Sequence, residues 1–319
     1  MIAPILEVEH LTKDFWTRGR HGAARKLRAV DGVSFSVYPG ETLGVVGESG
    51  CGKTTLGRLI LRLIEPSSGN IRFFGQDITN RPGGTLSFQP RHMQVVFQDP
   101  MSSLNPRMRV GDIIAEPLFN IGMPRSRRDE RVTELLDLVG LPANSISRFP
   151  HAFSGGQRQR VAIARALADP PKLIVCDEAT SSLDVSTQAQ ILNLLRNLQA
   201  QFNLTLLFIS HNLGAVRFVS NRIAVMYLGR LVEIAPEAEL FAHPHHPYTA
   251  ALLAAVPEPL LDQDMPPTLP GEVPSPFDPP SGCHFHPRCE RAEARCRLEA
   301  PELRALARFD AVVRCHFPG

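Results

Sequence analysis

Gly47-Glu48-Ser49-Gly50-Cys51-Gly52-Lys53-Thr54 has the spacing G-x-x-x-x-G-K-[ST] of a phosphate-binding loop. Glycines at these places let backbone N–H groups turn inward around phosphate oxygens that side chains would otherwise block. The helix expected to follow points its positive N-terminal end at the same anion. Lys53 would neutralise charge on the β- and γ-phosphates, the Thr54 hydroxyl would ligate Mg²⁺, and Thr55 continues the same first turn. Only Lys13, Lys26, Lys53 and Lys172 are lysines among 34 cationic residues, so a lysine at this spot is informative. Cys51 is assigned no chemistry beyond fitting into the loop. The flanks agree with the motif. TLGVVG is a short apolar run suited to a buried parallel strand, and LGRLILRLI has helical spacing.

Further along, Leu173-Ile174-Val175-Cys176-Asp177-Glu178 is an apolar strand that ends in two acids. Ligands of open α/β sheets bind beyond the carboxyl ends of strands. Asp177 would therefore reach the Mg²⁺ shell, and Glu178 would orient or deprotonate an attacking water. Around these segments strands and helices alternate. ILEVEHL, VSFSVYP, HMQVVFQ and LTLLFIS read as strands, residues 108–169 and STQAQILNLLRNLQAQF as helices, and RIAVMYLGRLVEIA as a strand pair turned at Gly229. The alternation argues for an α/β fold with a parallel sheet and helices on its faces. Residues 17–28, TRGRHGAARKLR, read as a solvated loop. The texture changes after about residue 256, where nine prolines fall between Val256 and Pro280.

Composition narrows the function classes. A chain of 319 residues, 43% of them hydrophobic and 21% charged, can bury a sizeable core and is neither collagen-like nor wholly disordered. A net charge of +2 argues against nucleic-acid binding by bulk charge. No run approaches the ~18 apolar residues of a membrane span. The N-terminal stretch MIAPILEVEHLTKDF has no secretory pattern, so a cytosolic compartment is expected.

Phe153-Ser154-Gly155-Gly156-Gln157-Arg158-Gln159-Arg160 carries a second anion signal. Ser154 with Gln157 makes an N-cap and capping box, and two glycines leave N–H groups exposed at the helix start. FSGGQRQR closely resembles the LSGGQ signature of ATP-binding cassette (ABC) ATPases, and other motifs of that family stand in order around it. Gln98 in VFQDP resembles the Q-loop, which senses Mg²⁺ and contacts the transmembrane partner. Ser182-Leu183-Asp184 resembles the D-loop of the dimer interface, and His211 the switch histidine that contacts the γ-phosphate. Phe15 matches the aromatic that stacks on adenine better than Trp16 does. The resemblance covers residues 5–255. It implies a P-loop NTPase with a RecA-like parallel-sheet core, an N-terminal antiparallel β subdomain and an inserted helical subdomain at about 101–169. It also implies that two such chains meet head to tail, each signature (Ser154, Gly155, Gly156, Gln157) and Asp184 acting on the partner's ATP. Two positions depart from the commonest pattern, Ala179-Thr180 in place of a proline and Asn212 in place of an aspartate. Both spare the groups that touch phosphate.

The tail narrows the resemblance. His246-Pro247-Tyr248-Thr249 and LPGEVPSPFDPPSGCHFHPRC resemble the C-terminal extension of oligopeptide, dipeptide and nickel importer ATPases. GETLGVVGESGCGKTTLGRLI and VFQDPMSSLNPR look closest to the F-type ATPase subunit of oligopeptide and dipeptide permeases. The resemblance implies residues 1–240 as the ATPase domain and 241–319 as a small Cys-rich extension. Its partners would be a second ATPase subunit, favoured as a paralogue, two permeases and an extracytoplasmic solute-binding protein, and its place the cytoplasmic face of the inner membrane. A nickel or other small-solute importer stands as the alternative, and a soluble ABC ATPase acting on nucleic acid or the ribosome as the reading from another class. Cys283, Cys289, Cys296 and Cys315, spaced C-x5-C-x6-C-x18-C, lack the short pairs usual for zinc. Four thiolates suit a [4Fe–4S] cluster, and the resemblance points the same way. Zinc, free thiols and disulfides stay open as alternatives.

Overall fold

The computed structural model describes residues 3–18, 24–79, 92–255 and 271–319. The chain divides into two compact units, one drawn from residues 1–38, 42–86 and 210–319, the other from 39–41 and 87–209.

The first unit opens with strands β1 (Leu6–Arg18) and β2 (Ala24–Val37), then β3 (Thr42–Val46), helix α1 (Lys53–Ile60), β4 (Ser68–Phe73) and β5 (Gln76–Asp77). The sheet order β2-β1-β4-β5 is antiparallel throughout. The run at 17–28, expected as a loop, is strand on both sides of the undescribed residues 19–23: Trp16 pairs with Lys26 and Thr17 with Arg25. The cations that made it look solvated find partners along the ladder. Asp14 holds Lys26 at 2.7 Å and Arg28 at 2.9 Å, and the Lys26 ammonium lies 6.0 Å from the Trp16 ring centre.

The second unit begins with β6 (Met93–Val96) and continues through α2 (Pro100–Ser103), α3 (Val110–Asn120), α4 (Arg125–Leu138), α5 (Gly155–Ala166), β7 (Leu173–Asp177), α6 (Val185–Phe202) and β8 (Thr205–Ile209). Every residue of β7 and β8 is buried, which explains their unbroken apolar runs. The order β8-β7-β6 is parallel, as the alternation predicts. Between β6 and β7 the chain is helical, with α3, α4 and α5 packed on one another.

The chain then returns to the first unit with α7 (Leu213–Val219), β9 (Arg222–Tyr227), β10 (Arg230–Pro236), α8 (Glu237–Ala242), α9 (Pro247–Ala254), α10 (Ala294–Leu298), β11 (Arg304–Ala305) and β12 (Val312–Val313). Here β3 pairs in parallel with β9, and β9 turns at Gly229 into antiparallel β10. Helix α7 lies so close on β3 that a Cβ at Gly44 would meet the side chains of Val216 and Ser220. The proline-rich stretch falls outside the described residues from 256 to 270, and from 271 to 280 it forms neither helix nor strand. The tail is stitched onto β10, with Glu233 opposite Val313 and Ile234 opposite Val312. Nothing in the local sequence announces so short a strand. Among the described residues no helix is long and apolar enough to cross a membrane.

Candidate functional site

In the first unit, β3 runs into the loop and α1 leaves it. Gly47 has φ +156° and Gly52 φ +108°. A side chain at either would also strike main chain, the Met226 carbonyl at Gly47 and the Ala29 carbonyl at Gly52. Only glycine satisfies both demands. Gly50, at φ +78°, has nothing within 4 Å of a built Cβ, so its demand is conformational alone. Gly52 is the N-cap of α1 and no side chain caps that helix, which leaves its first amides to be satisfied from outside the helix. Lys53 is 4% exposed, and its ammonium donates to the carbonyls of Gly47 at 2.8 Å and Glu48 at 3.0 Å. It arches over its own loop, where an anion held by the loop amides would meet its charge. Burial pushes the Cys51 thiol up, so at neutral pH this residue is a protonated packing group.

Phe15 and Trp16 follow one another on β1 and so point to opposite faces. Phe15 is half-buried with the Lys13 ammonium 5.2 Å from its ring centre. Trp16 is 69% exposed and offers the more open ring. His211 is exposed just past β8, at the start of α7. Asn212, the departure from the usual aspartate, caps α7 by accepting from the Ala215 amide at 3.1 Å. Asparagine and aspartate are equivalent there.

In the second unit the capping box read from the sequence is present. The Ser154 hydroxyl accepts from the Gln157 amide at 3.3 Å, and the Ser154 amide donates to Gln157 Oε1 at 3.0 Å. Gly156 has a further reason to be glycine that its motif does not reveal: a Cβ there would run into the Thr187 methyl group of α6. A Cβ at Gly155 would come within 3.3 Å of Leu183 Cδ2. Asp184 caps α6, accepting from the Thr187 amide at 2.9 Å and from the hydroxyls of Ser186 at 2.7 Å and Thr187 at 2.8 Å. These donors hold its carboxyl down to about 2.

Asp177 closes buried β7 at 7% exposure, and burial pushes the neighbouring Cys176 thiol up to about 12. Glu178 takes φ +49°, a left-handed conformation uncommon for glutamate, fixed by donation from its amide to the Ile209 carbonyl at 2.9 Å. Gln98 is exposed, and its carbonyl accepts from the Ser182 hydroxyl at 3.3 Å, tying the segment after β6 to the segment before α6. Buried Gln159 of α5 reaches the Phe97 carbonyl at 3.5 Å. That link lies in the motif's second half, which the sequence reading left without a role.

The four tail cysteines converge. Cys283, Cys289, Cys296 and Cys315 line one small cavity, with His246, His286 and His316 at its wall. Gly282, at φ +62°, lets the two segments cross, and the Cys283 amide donates to the Cys296 carbonyl at 2.8 Å. All four are free thiols, and burial pushes Cys283 up to about 11. Among the described residues no group of three or more His, Cys, Asp and Glu side chains is arranged to hold a metal ion. The four side chains share a cavity without being arranged as a metal-holding group.

Comparisons with known proteins fall in line with this geometry. The family profile "ABC transporter" matches residues 30–181, and "Oligopeptide/dipeptide transporter, C-terminal region" matches residues 232–296. A probable peptide ABC transporter ATP-binding protein of Sinorhizobium fredii is 52% identical, over 98% of this chain and 89% of its own. A Brucella abortus protein named for peptide import ATP binding is 51% identical, over 98% of this chain and 93% of its own. Among solved structures, CbiO1 from Clostridium perfringens, part of the ABC transporter complex CbiONQ, superposes with a TM-score of 0.65 at 28% identity, over 75% of this chain and 91% of its own. An ATP-binding cassette in a dimeric post-hydrolysis state with ADP and Pi gives a TM-score of 0.64 at 27% identity, over 73% of this chain and 98% of its own.

Proposed function

The chain belongs to the ABC transporter family of ATP-binding proteins, and from that premise we propose that it is the subunit that hydrolyses ATP to energise peptide import. The observation that carries the enzymatic part is the glycine-turned loop at 47–54, with buried Lys53 arched over it at the uncapped start of α1. Peptide as cargo is supported by the names of the relatives and by the match of the C-terminal region.

The reaction assigned is ATP plus water to ADP plus phosphate. Amides and glycines from Gly47 to Thr55 cradle the phosphates, and Lys53 balances their charge. Thr54, Asp177 and Gln98 would hold Mg²⁺, which when bound draws charge from the β- and γ-phosphate oxygens. Glu178 orients the attacking water and takes its proton while the water oxygen bonds to the γ-phosphorus and the bond to the β–γ bridging oxygen breaks. His211 contacts the γ-phosphate, and Phe15 stacks on the base with Trp16 as the competing ring. Ser154, Gly155, Gly156, Gln157 and Asp184 serve the nucleotide of a second ATPase subunit, a paralogue in this reading.

The domain reading stays at 1–240 for the ATPase, with its helical subdomain at about 101–169, and 241–319 for the extension. Two permeases and an extracytoplasmic solute-binding protein complete the importer, with this chain on the cytoplasmic face of the inner membrane and no nucleic-acid partner. Cys283, Cys289, Cys296 and Cys315 would hold a [4Fe–4S] cluster, with zinc as the alternative. The group would cross-link the tail, and anaerobically purified protein would carry iron. Zinc alone would overturn the cluster.

Glu178→Gln tests the enzymatic assignment. Hydrolysis by the complex with its permeases should fall about 100-fold or more with ATP binding retained, the scale of a lost general base. Unchanged turnover refutes the assignment. Co-sedimentation of the chain with membrane permeases tests the transport reading, and a chain that stays in the supernatant when they are co-expressed counts against it.

A further inference from the structure

Glu48, the second residue of the phosphate-binding loop, is gripped twice by residues far along the chain. The Tyr248 hydroxyl accepts from the Glu48 amide at 3.0 Å, 200 positions away. The Arg288 guanidinium meets the Glu48 carboxylate with two parallel bonds, at 2.8 Å to Oε2 and 3.1 Å to Oε1, 240 positions away. Both residues are out of solvent, Tyr248 completely and Arg288 at 6% exposure.

The grip is backed by a rigid cluster. The rings of Tyr227, Tyr248 and Phe285 stand 4.6 to 5.4 Å apart, and the Arg288 guanidinium lies 5.8 Å from the Tyr227 ring centre and 5.9 Å from that of Phe285. Arg288 also donates to the Tyr227 hydroxyl at 3.4 Å. It sits between Cys283 and Cys289 in the short turn His286–Arg288, and Phe285 lines the cysteine cavity as well. The segment that carries the thiols therefore carries the arginine that holds the loop.

A buried ion pair is an uneconomical stabiliser, since well-packed apolar residues often do as well. What a bidentate arginine adds is geometric definition. The loop needs that definition, because glycines set its path and leave it few side chains to anchor it. The Tyr248 bond also holds the Glu48 amide, fixing the loop's path at its second residue.

We propose that the C-terminal extension is a clamp on the phosphate-binding loop, with Arg288 and Tyr248 as positioning residues that set the affinity for ATP. The proposal rests on the nucleotide-binding reading above and adds a control surface outside the family's phosphate-contacting motifs.

The test uses the full-length chain, with the Kd for Mg-ATP read by calorimetry and the fold by circular dichroism and thermal melting. Arg288→Ala should raise the Kd about tenfold, on the scale of coupling between contacting groups. Arg288→Lys should restore only part of it, since an ammonium cannot make both bonds. Glu48→Gln should weaken binding in the wild-type background and add little once Arg288 is Ala. Tyr248→Phe, which removes one hydroxyl from an intact ring cluster, should raise the Kd about threefold and decides the matter if Arg288→Ala fails to fold. Arg295→Ala, which breaks only an exposed pair with Glu299, should leave the Kd unchanged. Wild-type Kd in Arg288→Ala or in Tyr248→Phe, or additive effects of Arg288→Ala and Glu48→Gln, would overturn the clamp while Lys53→Ala still loses ATP. A wild-type chain that binds no ATP would overturn the nucleotide reading, and the clamp with it.

Discussion

Two helix starts carry the anion-binding signals of this chain, and they are built in opposite ways. Helix α1 begins at a glycine in a left-handed conformation, and no side chain caps it. Helix α5 begins at Ser154 and caps itself reciprocally with Gln157. The first start relies on something outside the helix to satisfy its amides. The second has already committed the amides of Ser154 and Gln157 to its own side chains and leaves those of Gly155 and Gly156 to meet an anion. In the proposed reading the difference separates a primary phosphate cradle, shaped by main chain and a buried cation, from an accessory contact that is stable by itself. The proposed second ATPase subunit would meet an accessory contact of that kind, already folded, at each turnover.

The largest expected effect is at α1. Lys53→Ala should weaken ATP binding about 100-fold, since it removes the charge-assisted donor the cradle is built around. Wild-type affinity would erase the distinction between the two starts. Gly52→Ala should cost about 3 kcal/mol, because a positive φ and a clash with the Ala29 carbonyl act together. Gly50→Ala, with the same kind of φ and open space around it, should cost about 1 kcal/mol. Chemical denaturation separates these two, and equal costs would show that the close approach at Gly52 is unimportant.

The loop, the paired acids at the end of β7 and the capping box at Ser154 were legible because each is local. A few residues in fixed spacing dictate each of them through backbone conformation or a bond three residues away. What stayed hidden depends on the path of the chain. The basic run at 17–28 looked solvated because its partners, Asp14 and the Trp16 ring, count as partners only once β1 and β2 are paired. The two-residue strand β12 has no periodicity to detect and exists because β10 offers it an edge. Arg288 reads as one more tail arginine until the fold brings it across 240 positions to Glu48. The cysteines were grouped by their spacing, yet the shared cavity depends on a glycine crossing at residue 282 that spacing does not reveal.

Gly156 offers a sharper cut at α5. Its motif suggests that it is glycine for the sake of an anion, whereas the Thr187 methyl supplies a packing reason. Gly156→Ala should lower stability by about 2 kcal/mol. Thr187→Ser removes that methyl and keeps the hydroxyl that bonds Asp184. The double variant should therefore recover most of the loss in a thermal melt, whatever happens to turnover. A double variant no more stable than Gly156→Ala would remove the packing reason. Ser154→Ala should cost about 1 kcal/mol, the ordinary worth of an N-cap, and should leave ATP binding by the isolated chain unchanged.

The smallest effect is at Asp184, and its sign is fixed by its donors. Hydrogen bonds from Ser186 and Thr187 lower its carboxyl from 3.8 to about 2 in the folded chain. A depressed folded value means that the cap's contribution is complete above the unfolded value of 3.8 and is lost as pH falls through about 2. Because the carboxylate is exposed, salt weakens its charge interactions. Asp184→Asn keeps an acceptor oxygen for the Thr187 amide but has no proton to take up in this window. Its melting temperature at neutral pH should therefore stay near wild type. The difference between the two proteins should shift between pH 4 and pH 2, with wild type losing more of its stability on the acid side. Parallel pH profiles for the two proteins would mean that the donors on Asp184 do not distinguish its charged form, and that α6 starts as it does for reasons of packing alone.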